Sequence, residues 1–131
     1  MSAQKLRIMV LDDEPIVCKR LQPALEKLGF EVDTFTQSLE ALHQVQSSPT
    51  PYDIIITDLK MKGIDGMRFL EEAKKQNSAT EVIVITGFAT LETAKESFQK
   101  GVFDFIAKPF KLTEIQEVVT KAAAKIRGAG A

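Results

Sequence analysis

Five short apolar runs alternate with five stretches of helical periodicity along the chain, and no other feature restricts its fold as strongly. Residues 6–11 are apolar apart from Arg7 and end in Asp12-Asp13-Glu14-Pro15. Pro15 suits a first helical turn, where its missing N–H has no partner to lose. Val17, Leu21, Leu25 and Leu28 then recur at helical spacing up to Gly29. Pro23 lies inside that pattern and predicts a kink or a lost hydrogen bond. Residues 30–35 read as a second strand, and Ser38 is placed to cap a helix whose apolar face is Leu39, Leu42 and Val45. Ile54-Ile-Ile56 is a third strand running into Thr57-Asp58, and Met67, Leu70 and Ala73, with Phe69 beside them, mark a third helix. Residues 81–85 form a fourth strand closed by Thr86-Gly87, and Leu91, Ala94 and Phe98 give the stripe of a fourth helix ending at Lys100-Gly101. Residues 103–107 are a short fifth strand followed by Lys108-Pro109. Thr113 and Gln116 have capping-box spacing, and Ile115, Val118, Val119, Ala122 and Ile126 supply the face of the last helix.

Strands that strictly alternate with helices imply parallel βαβ units with right-handed crossovers. Three of the strand runs are nearly all apolar, as strands covered on both faces are. The expectation is one doubly wound α/β domain over residues 1–127, with 128–131 a flexible tail or the start of a linker. A chain of 131 residues buries a core without disulfide or metal staples. Cys18 is the single cysteine, which excludes an intrachain disulfide and a multi-cysteine zinc site and fits a reducing, cytoplasmic setting. A formal net charge of -1 argues against a dedicated nucleic-acid surface. No apolar run approaches membrane-spanning length and no export signal is expected.

Ligands of such sheets bind beyond the carboxyl ends of the strands. The polar residues at those ends are Asp12 and Asp13 after the first strand, Asp58 after the third, Thr86 on the fourth and Lys108 after the fifth. Three carboxylates on one rim repel each other unless one is protonated or a cation sits among them. Hard oxygen ligands with room for water suit Mg2+. A lysine and a hydroxyl opposite that cation match the oxygens of a phosphoryl group, and an aspartate can attack phosphorus to form an acyl phosphate. Taken singly each residue has a plainer role. Asp12, Asp13 and Glu14 suit a helix start, Asp65 suits the N-cap of the third helix, and Lys108 suits solvent. His43 reads as a surface histidine and Cys18 as helix packing. The joint pattern favours the phosphoryl site.

At these residues the chain resembles the receiver domain of bacterial response regulators. The similarity runs from Lys5 to Ile126 and is carried by Asp12-Asp13, Ile56-Thr-Asp58, Met61-x-Gly-x-Asp-Gly66, Ile85-Thr-Gly87 and Lys108-Pro-Phe110. It implies a flavodoxin-like (βα)5 sandwich, its parallel sheet in the order 2-1-3-4-5 with helices on both faces. Asp58 would take a phosphoryl group from a histidine kinase, a histidine phosphotransfer protein or a small acyl phosphate. The implied role is a two-component signalling switch that loses its phosphoryl group slowly, and not an enzyme. The implied cofactor is Mg2+, held by Asp13, Asp58 and the Lys60 backbone carbonyl, with Asp12 acting through water. Lys108 would pair with the acceptor and then with the phosphoryl oxygens, and the Lys108–Pro109 bond would be cis. Thr86 would be the switch hydroxyl and Phe105 the aromatic that moves with it. Together they would couple the site to the face formed by the fourth helix, fifth strand and fifth helix. That face would serve a homodimer, a partner or an attached output domain.

The stretches Thr86–Ala94 and Gly101–Phe110 are most similar to receivers of the nitrogen-regulator type. Lys62 stands where that family often has proline, Phe105 where tyrosine is commoner, and Phe88 and Lys60 occupy two variable rim positions. Phe88 is expected to screen the phosphoryl group from water. A magnesium-dependent phosphohydrolase would need an acid-base carboxylate at position 60, which is lysine. A flavodoxin-like electron carrier would need a glycine- and hydroxyl-rich loop where Asp12-Asp13-Glu14 stands. A receiver used only for docking would not need all of these rim residues.

Overall fold

The computed structural model describes residues 5–129. Its elements follow in the order β1 (Arg7–Leu11), α1 (Pro15–Glu26), β2 (Glu31–Phe35), α2 (Ser38–Ser47), β3 (Ile54–Thr57), α3 (Gly66–Gln76), β4 (Glu81–Thr86), α4 (Leu91–Gln99), β5 (Asp104–Ala107) and α5 (Leu112–Ala129). All pairings are parallel, and the sheet order is β2-β1-β3-β4-β5. The doubly wound α/β sandwich expected from the alternation is the fold observed.

Successive strand residues point to opposite faces, so the two faces of the sheet make two cores. Ile8, Val10, Ile54, Ile56, Ile83 and Ile85 pack on one side against α1 and α5, through residues such as Leu21, Leu25, Ile115 and Val119. Met9, Leu11, Ile55, Val82 and Val84 pack on the other against Ala41 of α2 and Phe69, Leu70 and Ala73 of α3. β1, β3 and β4 lie between other strands and are apolar because both of their faces are covered.

Several local expectations are corrected. Leu28 is exposed beyond the end of α1, where Gly29 takes a φ of 98° to turn the chain. Leu39 is 62% exposed, and the buried residues of α2 are Ser38 and Ala41. Ser38 is the first residue of α2 and does not cap it. Its hydroxyl donates to the Lys62 carbonyl and accepts from the Ile64 N–H, tying α2 to the loop after β3. Leu91 and Phe98 of α4 face solvent, and the buried residue of that helix is Ser97. Thr113 lies inside α5, so the proposed capping box is absent, and the Gln116 amide reaches instead to the Ala24 carbonyl of α1. Pro23 is accommodated within α1. The expected tail begins inside α5, which continues through Ala129, while Gly130 and Ala131 lie outside the described residues.

Candidate functional site

Strand register builds the site. Leu11 of β1 is level with Phe35 and Thr57, and Thr86 of β4 is level with Ala107. The sheet hydrogen bonds continue one residue past the strand ends. The Asp12 N–H donates to Phe35 O (3.1 Å), that of Asp58 to Leu11 O (3.2 Å), and that of Lys108 to Thr86 O (2.8 Å). The backbones of Asp12, Asp58 and Lys108 are therefore fixed by the sheet itself, and their side chains leave one rim together.

Lys108 is the hub. Its Nζ lies 2.8 Å from Asp12 Oδ2, 2.8 Å from Glu14 Oε1 and 2.8 Å from Asp58 Oδ2. The contacts to Asp58 and Glu14 are hydrogen bonds, and the one to Asp12 is an ion pair. Burial alone would push the ammonium down, but the carboxylates outweigh it and hold Lys108 above the ordinary lysine range. Burial pushes Asp12 up from the usual carboxylate value, against the pull of Lys108 and of the Glu14 N–H. Asp58 is also buried. Its Oδ1 accepts from the backbone N–H of Leu59 at 2.6 Å and of Lys60 at 3.4 Å, leaving Oδ2 to Lys108.

The loop behind Asp58 is set by close approach. The Gly66 N–H donates to Leu59 O at 2.8 Å, and a Cβ on Gly66 would overlap the Asp58 carbonyl and the Leu59 Cα. Asp65 caps α3 by accepting from the Arg68 N–H, as its position suggested.

Ligating oxygens of Asp12, Glu14 and Asp58 lie within 4.8 Å of one another, a group that can hold a metal ion. Three carboxylates against the one ammonium leave an excess of two negative charges, and every donor is a hard oxygen. A divalent cation such as Mg2+ fits that set. Asp13 is exposed and lines the same cleft, as does Lys60. Glu14 is the residue that sequence reasoning missed. An acid at a helix start is ordinary, and nothing local signals a partner 94 positions away.

Thr86 and Phe105 do not meet Asp58 directly. The Thr86 side chain is fully buried, and its hydroxyl accepts from the Phe88 N–H at 3.0 Å. Phe105 is half-buried, packing against the core on the α2–α3 side. Phe88 is 50% exposed and lines the Asp58 cleft, with Lys60 Nζ 4.7 Å from its ring centroid. The Lys108–Pro109 bond is cis. His43 is exposed and Cys18 is buried in α1. No helix among the described residues is long and apolar enough to cross a membrane.

Residues 8–120 match the family described as Response regulator receiver domain. The transcriptional regulatory protein ZraR of Salmonella typhimurium is 34% identical over 97% of this chain, and the regulatory protein AtoC of Escherichia coli is 34% identical over 88%. The chain spans only 28% and 25% of the length of those two relatives. A receiver domain from Clostridium thermocellum superposes with a TM-score of 0.85 at 30% identity, covering 93% of this chain and 97% of that one. A CheY-like receiver domain from Methanospirillum hungatei superposes with a TM-score of 0.90, covering 96% and 99%, and at 24% identity it shows the shared fold. The chain belongs to the receiver-domain family of two-component response regulators.

Proposed function

We propose that Asp58 is the phosphoacceptor, taking a phosphoryl group from the phosphohistidine of a histidine kinase or histidine phosphotransfer protein, or from a small acyl phosphate. The observation that carries this reading is the Asp58 carboxylate paired with Lys108 at 2.8 Å on a rim rich in further carboxylates. In the step, an Asp58 carboxylate oxygen attacks phosphorus while the bond from phosphorus to the donor imidazole nitrogen breaks. The bonding pair leaves with that nitrogen, which takes a proton from solvent. The step is self-catalysed positioning chemistry, and hydrolysis of the product is slow.

Asp12, Asp13, Asp58 and the Lys60 backbone carbonyl would hold Mg2+, with Glu14 beside them. When bound, the cation neutralises charge on the phosphoryl oxygens. Lys108 pairs with the acceptor at rest and then with the phosphoryl oxygens. The Thr86 hydroxyl, bonded at rest to the Phe88 N–H, turns to a phosphoryl oxygen, and Phe105 follows. The readout is the α4–β5–α5 face, where exposed Leu91 and Phe98 suit a homodimer, a partner or an output domain of the same protein. Residues 1–127 act as the signalling unit.

Intact mass after incubation with acetyl phosphate and Mg2+ tests this reading. One phosphoryl group should appear on the parent and none on Asp58→Asn. Equal labelling of both proteins would place the acceptor elsewhere.

A further inference from the structure

The three close positions around the Lys108 ammonium are all taken by carboxylate oxygens, at 2.8 Å each. The ammonium donates to Glu14 and Asp58 while Asp12 closes its third side, so an arriving phosphoryl oxygen finds no open approach. One partner must leave. Asp12 and Asp58 are held inside the rim, their side chains 3% and 6% exposed, and both backbones are fixed by the sheet. Glu14 differs. Its side chain is 58% exposed on a flexible stem, and water replaces its lost partner at little cost. Its backbone N–H is separately anchored to Asp12 Oδ1 at 2.9 Å, so the carboxylate can swing out without moving the start of α1.

We propose that Glu14 is a displaceable placeholder on Lys108. Its carboxylate occupies the donor that the phosphoryl group takes, and its departure is a step in loading the site. Glu14 is thus a positioning residue that acts through Lys108 and raises the donor concentration needed for phosphorylation. This rests on the reading of Asp58 as phosphoacceptor.

The test is the rate of Asp58 labelling against acetyl phosphate concentration at saturating Mg2+, for the parent and Glu14→Gln. The half-saturating acetyl phosphate should fall about fivefold in the variant, the upper worth of an exposed ion pair. The gap should narrow as added salt screens that pair in the parent. A merely structural role for Glu14 would move neither quantity in these directions. A variant that needs as much acetyl phosphate as the parent, or that needs more Mg2+ for half-labelling, overturns the placeholder. A parent that takes no phosphoryl group overturns the phosphoacceptor reading and this one with it.

Discussion

Phe88 and Lys60 meet over the side of the cleft that leads to Asp58, the ammonium 4.7 Å from the ring centroid. An exposed contact of this kind is worth about 0.5–1 kcal/mol, enough to keep both side chains over the opening for much of the time. On the proposed Asp58 phosphoryl group, water would have to approach phosphorus in line with the bond it breaks, and a ring and an ammonium over the opening would slow hydrolysis. Phe88→Ala is expected to speed loss of the phosphoryl group from Asp58 by about two- to fivefold, the value of that contact. The decay of the added mass after donor removal measures it, and an unchanged rate would retire the shield. Phe88 was readable in the sequence as a bulky rim residue, but its cation partner was not, because Lys60 precedes it by a helix and a strand. Asp12, Asp58 and Lys108 were legible for the opposite reason. Each follows directly on a strand, and parallel alternation sends all strand ends to one rim.

All ten elements were visible in order, because turn residues and changes of period mark where each begins. What helical periodicity does not reveal is what a face meets. Leu91, Ala94 and Phe98 share a face of α4 as their spacing requires, yet Leu91 is 88% and Phe98 51% exposed. The same limit applies to Leu39 of α2. Close approach of backbones is a second thing spacing hides. Gly66 begins α3 against the Asp58–Leu59 peptide, and the atoms a Cβ would meet are main-chain atoms that cannot rotate away. Gly→Ala in an open helix stabilises by about 0.5–1 kcal/mol, so the sign of the effect here is diagnostic. Gly66→Ala is expected to destabilise by about 2 kcal/mol, through overpacking that shifts either α3 or Asp58. Urea midpoints and the rate of Asp58 labelling should fall together. A stabilised variant with normal labelling would show that the two backbones have room to part.

The sheet separates two kinds of rim. Its carboxyl end carries the charged cleft, and its amino end carries a knot in which the Arg7 guanidinium stacks 4.4 Å from the Tyr52 ring and pairs with Asp33. Arg7 also donates to Ser48 Oγ and to the Thr50 carbonyl, and the Tyr52 hydroxyl donates to Asp33 Oδ2 at 2.6 Å. Burial, and then the Asp33 hydrogen bond, push the Tyr52 phenol up to about 12. A phenol harder to ionise in the fold than in the unfolded chain stabilises the fold fully below pH 10 and ceases to as pH rises through about 12. That interval corresponds to roughly 3 kcal/mol, lost on the alkaline side. The parent's unfolding free energy should therefore fall across this window, and Tyr52→Phe, which keeps the ring but has nothing to ionise, should flatten the fall. Labelling of Asp58 at neutral pH should be the same in both proteins, since Tyr52 lies at the other end of β3 from Asp58. An equally steep fall in Tyr52→Phe would assign the alkaline loss to other groups. Slowed labelling would mean instead that β1 and β3 transmit strain from the amino-end knot to the Asp58 cleft, so that the two rims are not independent.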